Sequence, residues 1–130
     1  ARTNDLVLAE EIIEKAKDIL KDLKNQRGLA EAKRVDGLIA YLKEEWDQAQ
    51  AFFDESEQLC TASKDPYGHA ETIRERAFMF MKKGDRDRAI ETLQQAERAF
   101  HDIGANGDVA VIRRKLEELT TPGSHDDASN

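Results

Sequence analysis

Three arginines stand forty residues apart, at Arg34, Arg74 and Arg114. A guanidinium presents a planar fork of N–H donors that fits a carboxylate or a phosphate. Three in one row would grip an acidic or phosphorylated chain. Each of the first two also has a plainer use, because Glu31 and Glu71 lie three residues earlier and come within reach on a helix. The other reactive side chains do not assemble. His69, His101 and His125 fall on different segments, and no Cys/His spacing matches a zinc site. Asp85, Asp87 and their neighbours lack the ligand spacing and distal glutamate of a calcium loop. Glu11–Lys15 and Glu14–Lys17 have the spacing of solvated pairs on a helix face. No acid, base and nucleophile converge. The expectation is a chain that is not an enzyme and holds no metal or cofactor.

The bulk composition narrows the class. The chain has 130 residues, of which 36% are charged and 6% aromatic, with two prolines. Strands favour β-branched and aromatic residues, so this balance favours helices. A formal net charge of −7 repels phosphate backbones and argues against nucleic acid. No apolar run approaches the ~20 residues of a membrane span. Cys60 is the single cysteine, which excludes an internal disulfide and points to a reducing, cytoplasmic setting. Ala1-Arg2-Thr3-Asn4 is not followed by a signal-peptide run, and the lack of an initiator methionine suits an excised or processed chain.

Apolar spacing and turn residues predict about six helices. Leu6, Ala9, Ile13, Ala16, Leu20 and Leu23 recur at steps of three and four, so a first helix is expected over 5–26, ended by Gly28. A second is expected over 29–43 and a third over 46–63. Asp65-Pro66 interrupts the chain, because a residue before proline avoids the α region. A fourth helix then covers 67–83, closed by Gly84. Asp85 caps a fifth over 86–102, and Asp108 a sixth over 107–119. Residues 120–130, with Pro122 and Gly123, have nothing to bury and read as a disordered tail. Residues 1–119 form one domain, with helix pairs near 29–63 and 67–103 and flanking helices 5–26 and 107–119. Short connections force antiparallel neighbours.

A forty-residue echo runs through these helices. Ala9, Ala49 and Ala89 coincide under that shift, as do Ala30, Ala70 and Ala110. Ile13, Phe53 and Leu93 coincide, then Ala16, Ser56 and Ala96, then Leu20, Cys60 and Phe100. Small falls on small and large on large. Cys60 therefore reads as a buried apolar residue rather than a nucleophile.

The stretch Phe80-Met81-Lys82-Lys83-Gly84-Asp85-Arg86-Asp87-Arg88-Ala89-Ile90 resembles a tetratricopeptide repeat (TPR). Ile73 and Ala77 match the large and small positions of the family's first helix, and Leu93 and Ala96 those of its second. Gly37, Ala49, Phe53 and Ser56 stand in the equivalent places one repeat earlier. The likeness spans about 5–119 and is closest to long-repeat variants of the family. Asp36 and Arg76 depart from it, standing where the family prefers an apolar residue, and Thr61 and His101 replace its usual proline.

The resemblance implies an all-α solenoid of antiparallel hairpins that binds a partner peptide or helix in a concave groove. Its implied groove residues are Arg34, Leu38, Tyr41, Arg74, Phe78, Met81 and Arg114. The implied function is a non-catalytic protein-interaction scaffold within a larger regulatory or assembly protein. The expected partner is another protein or peptide, acidic or phosphorylated. The first helix carries Leu8, Ile12 and Ile19 beyond its main stripe. Two readings stand for that wide face: a broad internal contact, or an end that meets a second copy. Self-association is the alternative function. A regulatory segment fused to a catalytic or DNA-binding domain outside this chain is another.

Overall fold

A computed structural model describes residues 2–121, with side chains from Val7 onward. The described chain is helical, without strands. Its elements are α1 (Arg2–Leu42), α2 (Trp46–Ala62), α3 (Pro66–Lys83), α4 (Arg86–Asp102) and α5 (Asn106–Thr120). The last four match the expected helices to within one or two residues at each end. The expected tail lies outside the described residues from Pro122 on.

The first two expected helices are one. α1 runs unbroken through Gly28 for 41 residues. A lone glycine inside a helix costs only about 1 kcal/mol relative to alanine. Gly28 has neither a proline beside it nor a left-handed φ, and a Cβ placed on it would meet nothing within 4 Å. Helix formers such as Gln26, Arg27 and Ala30 carry the spiral across. Five described helices therefore replace the six expected.

The junctions share one geometry. Glu44, Lys64, Gly84 and Gly104 all take positive φ, at 62, 54, 87 and 73°. The residue after each donates its N–H to a carbonyl in the preceding helix: Glu45 to Ala40, Asp65 to Cys60, Asp85 to Phe80 and Ala105 to Phe100, each at 2.9 Å. The same turn thus closes each helix and opens the next, and its left-handed residue recurs every twenty positions. Asp65 and Asp85 cap their helices by accepting from the N–H of Gly68 and Arg88. At the last junction the cap is Ala105. Asp108, expected to cap there, lies one turn inside α5.

Packing follows chain order. Each helix touches the next, α1 also touches α3, and no other pair of described helix backbones is in contact. Two core clusters result. One gathers Ala40, Tyr41, Ala49, Phe53, Met79, Phe80 and Ala89, and the other Ala70, Ile73, Ala77, Leu93, Ala96, Phe100, Val109 and Ile112. Phe53, Leu93 and Phe100 have no exposed surface. Each contributes about 1.5–3 kcal/mol by leaving water. Small residues set the approach distance: a Cβ on Gly37 would lie 2.6 Å from the Phe53 ring. Where α1, α2 and α3 meet, the Ser56 hydroxyl donates to the Ala30 carbonyl at 2.8 Å and pairs with Thr72 Oγ1 at 3.0 Å.

The forty-residue columns are buried in α2 and α4 but not throughout. Ala49, Phe53, Ser56 and Cys60 are covered, as are Ala89, Leu93, Ala96 and Phe100. Their counterparts Ala9, Ile13, Ala16 and Leu20 on α1 are exposed, because no described helix lies beside that half. Ala110 is exposed too, where Ala30 and Ala70 are buried. Val109 and Ile112 anchor α5 instead.

Candidate functional site

The arginine row lies across the odd-numbered helices, and acids from the same helices occupy it. Arg34 on α1 reaches Glu71 on α3 at 3.7 Å. Arg74 reaches the other oxygen of Glu71 at 3.7 Å and Asp108 on α5 at 3.0 Å. Tyr67 donates its hydroxyl to the second Asp108 oxygen at 3.1 Å. The result is an alternating ladder, Arg34–Glu71–Arg74–Asp108, that ties α1, α3 and α5 together. The Arg74 guanidinium also lies 5.2 Å from the Phe100 ring centroid. The three-residue pairing read from sequence is present for Arg74 with Glu71, whereas Arg34 takes Glu71 rather than Glu31. Arg114 is exposed and stands outside the ladder, with no ion pair to a described residue.

The apolar residues expected beside the arginines divide by depth. Tyr41 is buried, tilted against Phe53 with ring centroids 6.3 Å apart. Its hydroxyl donates to Glu75 Oε2 at 3.3 Å. Burial, followed by the charge and the hydrogen bond of Glu75, pushes the Tyr41 phenol up to about 12. Burial likewise raises the Glu75 carboxyl above its usual range, against the lowering influence of the Tyr41 hydroxyl, Arg74 and Arg34. Leu38, Phe78 and Met81 are partly buried. Phe78 and Met81 touch both core clusters, and Leu38 touches the one containing Phe53. They form an apolar margin beside the ladder.

Three partners here were not singled out from sequence. Sequence alone marks Asp108 as a cap, gives Glu75 no role and places Tyr67 only at the start of a helix. Their signal is long-range: Asp108 lies 34 residues from Arg74, and Tyr67 41 residues from Asp108. Such pairs appear only once helices are laid side by side. Arg76, read as a departure from an apolar position, has its own purpose. It binds Glu57 at 2.5 Å and Asp54 at 2.6 Å, joining α3 to α2.

Elsewhere the described residues offer little chemistry. No group of three or more His, Cys, Asp or Glu converges among them. Cys60 is a buried free thiol whose pKa burial pushes up. His101 is exposed near Asp102, His69 is partly buried, and His125 lies outside the described residues. No described helix is long and apolar enough to cross a membrane. Leu8, Ile12 and Ile19, expected as an end surface, are 56, 58 and 61% exposed on the uncovered half of α1.

No protein-family model, curated protein or solved structure matches the chain.

Proposed function

We propose that this chain is a protein-interaction scaffold of the TPR type, an open stack of helical hairpins without chemistry of its own. The observation that carries the reading is the recurrence of one turn every twenty residues, at Glu44, Lys64, Gly84 and Gly104. Stacking one supersecondary unit upon the next is the logic of a solenoid. The pattern of helix contacts agrees, since among the described helices only neighbours and the α1–α3 pair approach backbone to backbone, while α3 and α5 meet through side chains. Such stacks present the first helices of successive hairpins as one surface. Here that surface would carry Arg34, Leu38, Tyr41, Arg74, Phe78, Met81 and Arg114.

The ladder changes how a ligand would be gripped. Glu71 and Asp108 already neutralise Arg34 and Arg74, so an acidic or phosphorylated partner must displace them or rely on Arg114. Phe78, Met81 and Leu38 then supply the larger share of contact through apolar side chains of the bound peptide or helix. The chain would act within a larger regulatory or assembly protein.

A peptide-array screen tests this. Ligands of the native chain should lose at least tenfold in affinity with Phe78→Ala/Met81→Ala, provided the variant keeps its helical circular dichroism. They should bind a Leu20→Asp variant normally. Ligands sensitive only to Leu20→Asp would move the function to the end of the molecule and favour self-association.

A further inference from the structure

The four junction turns fall twenty residues apart, and the next place in that series is Lys24–Asn25. Lys24 takes the place of Lys64, which is left-handed in its own turn. Asn25 takes the place of the caps Asp65 and Asp85, and asparagine is among the best N-caps. Leu20 takes the place of Ala40, Cys60, Phe80 and Phe100, whose carbonyls accept the closing hydrogen bond. Yet α1 is helical through this point.

The two halves of α1 each leave an apolar face uncovered. Ile13 and Leu20 are 52 and 65% exposed, while Phe53, Cys60, Leu93 and Phe100 in the same columns are at most 1% exposed. On the second half, Val35 and Ile39 are exposed, and Ala32 with them. Forty residues on, Thr72 and Met79 are buried where α3 meets α2.

The residues that would face each other match in kind. Ser56 hydrogen-bonds Thr72 between α2 and α3. Their counterparts Ala16 and Ala32 are both small and apolar, so neither is left with an unpaired hydroxyl. Met79 shares a cluster with Ala49 and Phe53; the counterparts are Ile39, Ala9 and Ile13. Arg76 binds both Glu57 and Asp54. The Glu57 pair recurs as Lys17 with Asp36, both signs reversed, and Asp54 is replaced by Glu14, which lies 3.6 Å from Lys17 in the straight helix. In the straight helix Lys17 and Asp36 stand about 28 Å apart and cannot meet.

We propose that α1 is a hinged strap that breaks at Lys24–Asn25 and folds residues 7–23 back onto residues 26–42. Closure repeats the α2–α3 contact one unit earlier, with the Lys17–Asp36 pair in place of Glu57–Arg76. The open helix exposes both faces, and the closed hairpin covers each with the other. α5 has no equivalent face. Arg113 and Glu117 stand in its columns for Ile73 and Ala77, so the device belongs to this end alone.

Spin labels at Glu11→Cys and Leu42→Cys, with Cys60→Ala, report the state. A straight α1 holds the two sites about 46 Å apart. Closure brings their helices to an axis separation of about 8–10 Å. Double electron–electron resonance should show a substantial short-distance population. Asp36→Lys should reduce it at least threefold, and Lys17→Glu in the same chain should restore it. A single distribution near the straight-helix distance in every chain overturns the proposal. So does a short population indifferent to Asp36→Lys, which breaks the register. A short population that vanishes on tenfold dilution with unlabelled chain assigns the cover to a second copy instead.

Discussion

Glu75 concentrates the electrostatics of the candidate surface. Its carboxylate is partly buried beside the Tyr41 hydroxyl and between the influences of Arg34 and Arg74, and burial dominates, raising its pKa above 4.5. A group raised in the folded state contributes stability that is complete below its unfolded pKa and lost as pH climbs through its folded value. At neutral pH the ionised group is therefore a net burden. Glu75→Gln keeps an acceptor for Tyr41 and removes the charge. Thermal melts should place the variant above the native chain at pH 7, with the advantage shrinking as pH falls toward 4.5. A variant that melts several degrees lower at pH 7 would show the carboxylate to be held chiefly by the arginines. Part of this neighbourhood was legible in sequence. The Arg74–Glu71 pair lies within one helix and obeys helical spacing. Asp108 and Tyr67 were not legible, because their partners are set by how α3 and α5 lie together.

The helices themselves were largely readable, for reasons that are local. Pro66 cannot donate an N–H inside a helix, so α3 starts there. Gly84 takes a φ of 87° that a side chain resists, so α3 ends there. Gly28 misled because glycine marks a stop only where the backbone turns left-handed, and α1 does not turn at that residue. Glu44 and Lys64 were harder still, since neither residue type announces a positive φ. The hydrogen bonds that follow them show the cost being met by the closing turn, at about 1–2 kcal/mol for a left-handed residue with a Cβ. Gly84→Ala should consequently lose about 1 kcal/mol of stability. In a domain of this size that lowers the melting temperature by about 3–6 °C. An unchanged melting temperature would mean that the α3–α4 turn is not under the backbone constraint described.

At the scale of the molecule, what distinguishes the chain is the difference between its ends. α5 closes one end with charged and polar residues and with Arg86, which donates to the Leu119 carbonyl at 2.8 Å through its Nε. α1 extends past the other end with apolar residues in the open. Between them the odd-numbered helices are joined by the ion ladder, and α2 and α4 supply the largest fully buried side chains, Phe53, Leu93 and Phe100. The forty-residue echo anticipated the burial of α2 and α4. It did not anticipate the exposure of Ala9 and Ile13, because a periodic sequence carries no mark of where its neighbours stop. The most direct test of the proposed groove is a nuclear magnetic resonance titration of the isotopically labelled chain with an array-selected peptide. Backbone shifts should cluster at Leu38, Phe78, Met81 and Arg114 and leave residues 7–23 unmoved. Shifts confined to residues 7–23, or to the outer faces of α2 and α4, would contradict the account.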